Sequence, residues 1–389
     1  MIDVKLLRRI WPVIAGTTVA MIPMETAPFL ISAVVESSGI TQAQAGWVGS
    51  ASVGAVAVTS MIAAPALHRL PFRRTMGCCA LLLILGYAGL IAAGSLWSVV
   101  LLAVIAGAGS GGLISGMAML VAGLPDPDKA YGYIYASTGF AFALLLLLLP
   151  MADKSFGPGA LFAVIAAAAA LASLALAKLA APAEGEEAGD GAAGQVRWGA
   201  AGLVALVMTI GFPLYGGIFG MAERKALEVG MTSVQAGATL SAATLLSIAG
   251  SMLVAVVGVR WGRVLPTVVV MLLATLAYYL TLGARDAGAF VPGLLMFGFM
   301  QLGLNSYFFG LASVLDRGGR IAAALQGYSL IPYALGPGLF VSLVGAGPLT
   351  QLAVPAVAVN IAALVILLPV LIAVDHRARA RPALAEASA

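Results

Sequence analysis

Apolar runs of helical length follow one another along almost the whole chain, near residues 10–35, 42–66, 75–94, 97–122, 130–150 and 159–180. After a polar stretch they resume near 199–222, 232–258, 264–283, 287–312, 321–343 and 349–373. A membrane-crossing helix needs roughly 20 apolar residues, whereas a barrel strand is about 10 residues long and alternates in polarity. The run lengths therefore predict twelve transmembrane helices and no strands. Helices meet their own backbone hydrogen-bonding needs in hydrocarbon, so the pattern is physically sufficient. The run from Ile10 to Val35 is too long for a cleaved signal core and is expected to be the first span.

Composition agrees. Hydrophobic residues make up 61% of the 389, charged residues 9%, and the mean hydropathy is +1.05. A soluble domain carries about 25% charged residues, so this chain lacks the polar surface to cover a globule in water. Cys78 and Cys79 are adjacent and build no disulfide framework; they are expected to pack as small side chains. The net charge of +4 does not point to nucleic acid, because the basic residues flank apolar runs and form no stripe on a polar domain.

Their distribution instead orients the chain. With the N-terminus in the cytoplasm, sixteen of the twenty Lys and Arg residues fall on the cytoplasmic side. Only Lys154, Arg224, Lys225 and Arg285 fall outside. The opposite orientation would invert this bias, so both termini are expected in the cytoplasm. Residues 181–198, rich in Ala, Gly and acid, read as a flexible cytoplasmic linker. It separates a six-helix bundle over 1–180 from a second over 199–375, with a cytoplasmic tail over 376–389.

The two halves resemble each other. Gly39-Ile40-Thr41-Gln42-Ala43-Gln44-Ala45-Gly46 matches Gly230-Met231-Thr232-Ser233-Val234-Gln235-Ala236-Gly237 at five of eight positions, 191 residues apart. At the same offset Arg69 meets Arg260 and Gly107 meets Gly298. At 190 the pair Gly157-Pro158 meets Gly347-Pro348, and Ala163-Val164 meets Ala353-Val354. Ordered matches at a nearly constant offset argue for an internal duplication. Six spans per copy is an even number, so the copies share an orientation and are related by an axis along the membrane normal.

With these features the chain resembles a bacterial major facilitator superfamily transporter over nearly its whole length. The signature loop of that family, G-x-x-x-D-[RK]-x-G-[RK]-[RK], has counterparts after span 2 and span 8. The first runs from Ala64 to Arg74 and contains His68, Arg69, Arg73 and Arg74; the second runs from Ala255 to Arg263 and contains Arg260 and Arg263. The basic residues persist, but His68 and Val259 replace the acid. The resemblance implies that these loops gate the cytoplasmic side, and the lost acid puts the latch it provides in question. In span 4, Ala103 stands where many exporters of the family have arginine, ahead of a glycine run from Gly107 to Gly112 that suits close helix packing. The Gly-Pro signature of antiporters in span 5 is missing.

Charge inside a bilayer costs about 2.5–3.5 kcal/mol per residue on insertion scales, which makes Glu25 the outstanding candidate. It lies about 15 residues into span 1, near mid-membrane, two residues after Pro23, a residue expected to loosen the helix. At the 190 offset Pro23 corresponds to Pro213, expected to keep the bend, and Glu25 to Tyr215. A carboxyl group that gains and loses a proton at this depth can couple a proton gradient to solute movement, and the resemblance adds that some multidrug exporters carry an acid in span 1. A structural hydrogen bond to a neighbouring helix is the other reading. Glu223, beside Arg224 and Lys225, reads as a solvated helix end.

Among polar residues, Gln301 and Asn305 share one face of span 10 and are candidates for lining a substrate cavity, together with Tyr215, Tyr133, Tyr328 and Tyr333. Ser241, Thr244, Ser247 and Ser251 form a helical stripe on span 8, either as lining or as packing glue. Asn360 suits an interhelical bond. No Lys or Arg falls mid-span, which disfavours an anionic substrate, because a buried anion needs a cation to replace its hydration. No nucleotide loop, metal cluster or catalytic triad occurs, so no cofactor, metal or enzyme activity is expected. The reading is an inner-membrane transporter, working as a monomer. It would move a small neutral or cationic amphipathic solute by proton-coupled efflux, with uptake by symport or uniport as the alternative.

Overall fold

The computed structural model describes residues 4–122, 127–157, 159–179, 198–257, 262–315 and 320–386. Fourteen α-helices follow in order. The N-terminal half contains α1 (Val4–Glu25), α2 (Ala27–Ser38), α3 (Gln42–Ala66), α4 (Phe72–Leu90), α5 (Leu96–Ala122), α6 (Pro127–Phe156) and α7 (Ala160–Ser173). The C-terminal half contains α8 (Trp198–Gly220), α9 (Ala222–Glu228), α10 (Ser233–Val257), α11 (Val264–Gly283), α12 (Ala287–Ser313), α13 (Arg320–Val344) and α14 (Ala353–Glu386). Among the described residues eleven helices are long and apolar enough to cross a membrane, and α1 with α2, as one bent span, makes twelve. Large apolar side chains such as Trp97 (79% exposed) and Phe156 (84%) face outward, as expected where the solvent is lipid. The linker residues 181–197 and the basic residues Arg197, Arg260 and Arg317 lie outside the described residues.

The duplication is visible in hydrogen bonds. Thr41 and Gln44 form a capping box at the start of α3: the Thr41 N–H donates to Gln44 Oε1 at 2.9 Å and the Gln44 N–H to Thr41 Oγ1 at 3.2 Å. Thr232 and Gln235 repeat it before α10 with the same two distances. Such a box satisfies two orphan amides of a helix start reciprocally. Ahead of each box stands a glycine in the left-handed region, Gly39 at φ 65° and Gly230 at φ 83°, which lets the chain reverse between spans at no steric cost.

Packing repeats as well. A Cβ on Gly107 of α5 would run into the backbone carbonyl of Ser52 on α3, and one on Gly298 of α12 into that of Ala243 on α10. Both members of one pair lie 191 residues from their counterparts in the other. Gly109 and Gly111 likewise bring α5 against the backbones of α4 and α3, so the glycine run serves close packing.

The halves meet along three contacts: α3 against α13, α6 against α10, and α2 against α8 and α9. The seam is tight at the face of the bundle opposite α1's first turn, here called the distal face. There Trp47 Nε1 donates to Ser342 Oγ at 3.0 Å, and the Gly338 N–H to Ser50 Oγ at 2.9 Å. The first span bends by 57° between α1 and α2. The break is at Thr26, three residues beyond Pro23, and Pro28 explains it: its ring nitrogen has no hydrogen for the Met24 carbonyl one turn back. The second half departs from expectation, because α8 runs unbroken through Pro213 and ends only at Gly220.

Candidate functional site

A cavity of about 520 Å³, counting space open to solvent, lies in the C-terminal half, walled by α8, α11, α12 and α14. Each wall is one face of a helix. On α12 the lining residues are Phe297, Met300, Gln301, Leu304, Asn305 and Phe308, spaced at three and four, which puts them on a single stripe. Val207, Gly211, Phe212 and Tyr215 do the same on α8, and Met271, Ala274 and Tyr278 on α11.

The aromatic rings touch one another. Tyr215 packs against Phe297 with centroids 5.4 Å apart, against Tyr333 at 5.1 Å and edge-on to Phe212 at 6.4 Å. Phe212 meets Phe308 edge-on at 5.9 Å, and Tyr278 meets Phe297 at 6.0 Å. The wall contains no charged side chain. Asn360 uses its amide to bind the Met271 carbonyl at 3.0 Å and Thr275 Oγ1 at 2.7 Å, the interhelical bond its sequence position suggested.

The nearest charge comes from the other half. Glu25 is the last residue of α1, partly buried at the bend, and its carboxyl group lies close enough to Tyr215 and Tyr333 to act on both electrostatically. Glu25 thus acts on its repeat counterpart Tyr215 from the other bundle. The cavity lies in one half and is mostly aromatic, and Glu25 acts on its wall from the other half.

Of the residues singled out from sequence, Gln301, Asn305 and Tyr215 line this cavity, and Tyr333 backs Tyr215. Tyr328 stands apart, its hydroxyl 2.6 Å from Thr209 Oγ1 in a contact between α13 and α8. Tyr133 is partly buried against the core of the N-terminal half. The hydroxyls of Thr244, Ser247 and Ser251 donate to carbonyls of their own helix, which leaves them local roles. Phe212, Tyr278, Phe297 and Phe308 were missed, although the stripe on α12 was readable as a 3.6-residue period mixing Phe, Met, Gln and Asn.

The basic loops are structural in part. Arg73 donates to the Ala177 carbonyl, and Arg69 and Arg74 are exposed; nothing is described of the His68 side chain. In the second half the acid missing from the loop is supplied from afar. The Asp375 carboxylate, in the C-terminal part of α14, accepts from the backbone N–H of Arg263 at 2.9 Å and of Val264 at 3.1 Å, capping α11. Residues 111 and 112 positions apart make this bond, so no local motif announces it.

The sequence profile of the Major Facilitator Superfamily matches residues 13–337. The chain belongs to this superfamily. No curated protein sequence matches it, but solved structures do. A D-xylose–proton symporter superposes with a TM-score of 0.73 at 11% identity, covering 92% of this chain and 96% of that one. A bacterial homologue of the human drug peptide transporters PepT1 and PepT2 gives 0.71 at 15%, covering 97% and 99%. The human organic anion transporter MFSD10 (TETRAN) gives 0.68 at 17%, covering 92% and 99%. At these identities the likeness is one of fold: twelve spans in two pseudo-symmetric six-helix bundles. Family and fold mark this superfamily member as a multi-pass membrane transporter, not an enzyme.

Proposed function

We propose that the protein is a proton-coupled secondary transporter that exports a small neutral or cationic amphipathic solute by alternating access. Bundles 1–180 and 199–375 are the two bodies that rock, joined by the 181–198 tether, with both termini and the 376–389 tail in the cytoplasm of a bacterial inner membrane. One observation carries the reading: an aromatic, uncharged cavity is approached by a single carboxyl group, Glu25, from the opposite bundle. Ring faces attract a cation, with about 0.5–2 kcal/mol per contact depending on desolvation. Gln301 and Asn305 offer hydrogen bonds that orient a solute without demanding charge. An anion would find no cation on these walls.

Coupling follows from competition. A proton and a cationic solute cannot both be favoured next to one carboxyl group, so binding of either discharges the other. The solved relatives handle a sugar, peptides and organic anions by their names, so the fold leaves substrate choice to the cavity wall. His68, Arg69, Arg73, Arg74, Arg260 and Arg263 are assigned to the gating loops, and the unit of function to the monomer.

The test is flux in proteoliposomes with an imposed pH gradient, using tetraphenylphosphonium as cationic probe and a dicarboxylate as anionic control. The expected result is uphill movement of the cation against the proton gradient, abolished in Glu25→Gln while downhill exchange persists. Gradient-driven flux unchanged in Glu25→Gln removes the coupling role, and preferential transport of the dicarboxylate removes the substrate class.

A further inference from the structure

Glu223 was expected to be a solvated helix end, but it is 4% exposed. The short helix α9 turns back at Met221 after α8 and lies against α2 of the other bundle, which carries Glu223 into the distal seam. Ser32 on α2 and Ser233 on α10 act on its carboxyl group, one from each half, yet its buried Oε2 has no hydrogen-bond partner. Buried carboxylates that stay charged are normally paired with a cation or fully hydrogen-bonded.

Among the described residues no cation serves Glu223. The charges acting on it come from Glu36, one turn beyond Ser32 on α2, and from Asp153 at the distal end of α6; both are acidic. On α9 itself Arg224 and Lys225 are committed to Glu228, at 3.3 and 3.6 Å. Arg224 also holds the Gly345 and Gly347 carbonyls, and Glu228 caps the Leu349 N–H. The other helices packed on α9, namely α8, α10 and α12, carry no charged residue along their lengths.

We propose that Glu223 is a second proton-binding site, separate from Glu25, whose protonation locks the two bundles together at the distal face and whose ionisation releases them. The carboxylic acid form adds a donor that the buried site can use and removes a charge facing two like charges. The ionised form is stable only once the seam opens to water. Burial pushes the Glu223 carboxyl up to about 7, with Glu36 and Asp153 adding to the rise and the two serines opposing it.

The sign is fixed by linkage. The closed seam binds the proton more tightly than an open, solvated one with an ordinary value of 4.5, so acid favours closure, and rising pH through about 7 favours opening. The ratio of closed to open falls by on the order of 100-fold as pH rises from the ordinary carboxylate range through about 7, from the difference in proton affinity.

The measurement is a pulsed-EPR distance between spin labels at Gly94→Cys and Arg285→Cys, exposed distal positions in the two halves. The full chain is used with Cys78→Ala and Cys79→Ala. Glu25→Gln is also present, so that failure of the coupling reading leaves this test intact. The short distance should dominate at acid pH and give way to a longer one as pH rises from the ordinary carboxylate range through about 7. Glu223→Gln, which keeps the shape without the titration, should hold the short distance at every pH. A distance insensitive to pH, opening on the acid side, or an unchanged titration in Glu223→Gln overturns the proposal.

Discussion

Substituting Gly298 with alanine tests whether the close approach of α12 to α10 holds the C-terminal bundle together. A Cβ there would sit on the backbone carbonyl of Ala243, where no flexible side chain can yield. Restoring van der Waals distance requires α12 and α10 to part by about 1 Å, which forfeits a quarter to a half of each atom contact across the pair. Overpacking of this kind costs about 1–3 kcal/mol. The helix gains little from alanine in compensation, at most about 1 kcal/mol of propensity. The assay is thermal unfolding in detergent for Gly298→Ala, its repeat partner Gly107→Ala, and Gly54→Ala, where a Cβ meets open space. The first two should unfold earlier than the parent by similar margins, and Gly54→Ala should match the parent or exceed it. If Gly298→Ala is as stable as Gly54→Ala, the close approach is not what holds α10 to α12, and the matched geometry of the halves loses its meaning.

Thr41→Ala and Thr232→Ala should each cost about 1 kcal/mol, the usual value of a helix cap, and should do so equally in the same unfolding assay; unequal losses would separate the two repeats. Asp375→Ala should destabilise by about 1–2 kcal/mol, because a carboxylate at a helix N-terminus is lost, and Asp375→Asn should recover part of it. Phe297→Ala should weaken binding of tetraphenylphosphonium by about 3- to 30-fold, the span of one cation–π contact, as read by equilibrium dialysis. Asn360→Leu should cost about 1 kcal/mol by removing the two hydrogen bonds that tie α14 to α11, seen as a lower unfolding temperature.

Much was legible before any coordinates. Span number, bundle organisation and repeat follow from a solvent that forbids unpaired backbone groups, so apolar run length translates directly into helices. The capping boxes and the positive-φ glycines are local chemistry, written within four or five residues, and they recur because the sequence recurs. Glu25 stood out because one charge in an apolar run is costly wherever the helix packs. The duplication even paired Glu25 with Tyr215, though not as neighbours.

What only the tertiary structure decided depends on residues far apart in the chain. Asp375 caps a helix more than a hundred residues away, which no window of sequence contains. The cavity formed in one bundle because four helix faces converge there, and helix rotation about its own axis is set by packing, not by period. Glu223 looked solvated because charged neighbours surround it in sequence. Burial is a property of the seam between two bundles, and whether a carboxyl group meets water or another helix is settled only when those bundles close.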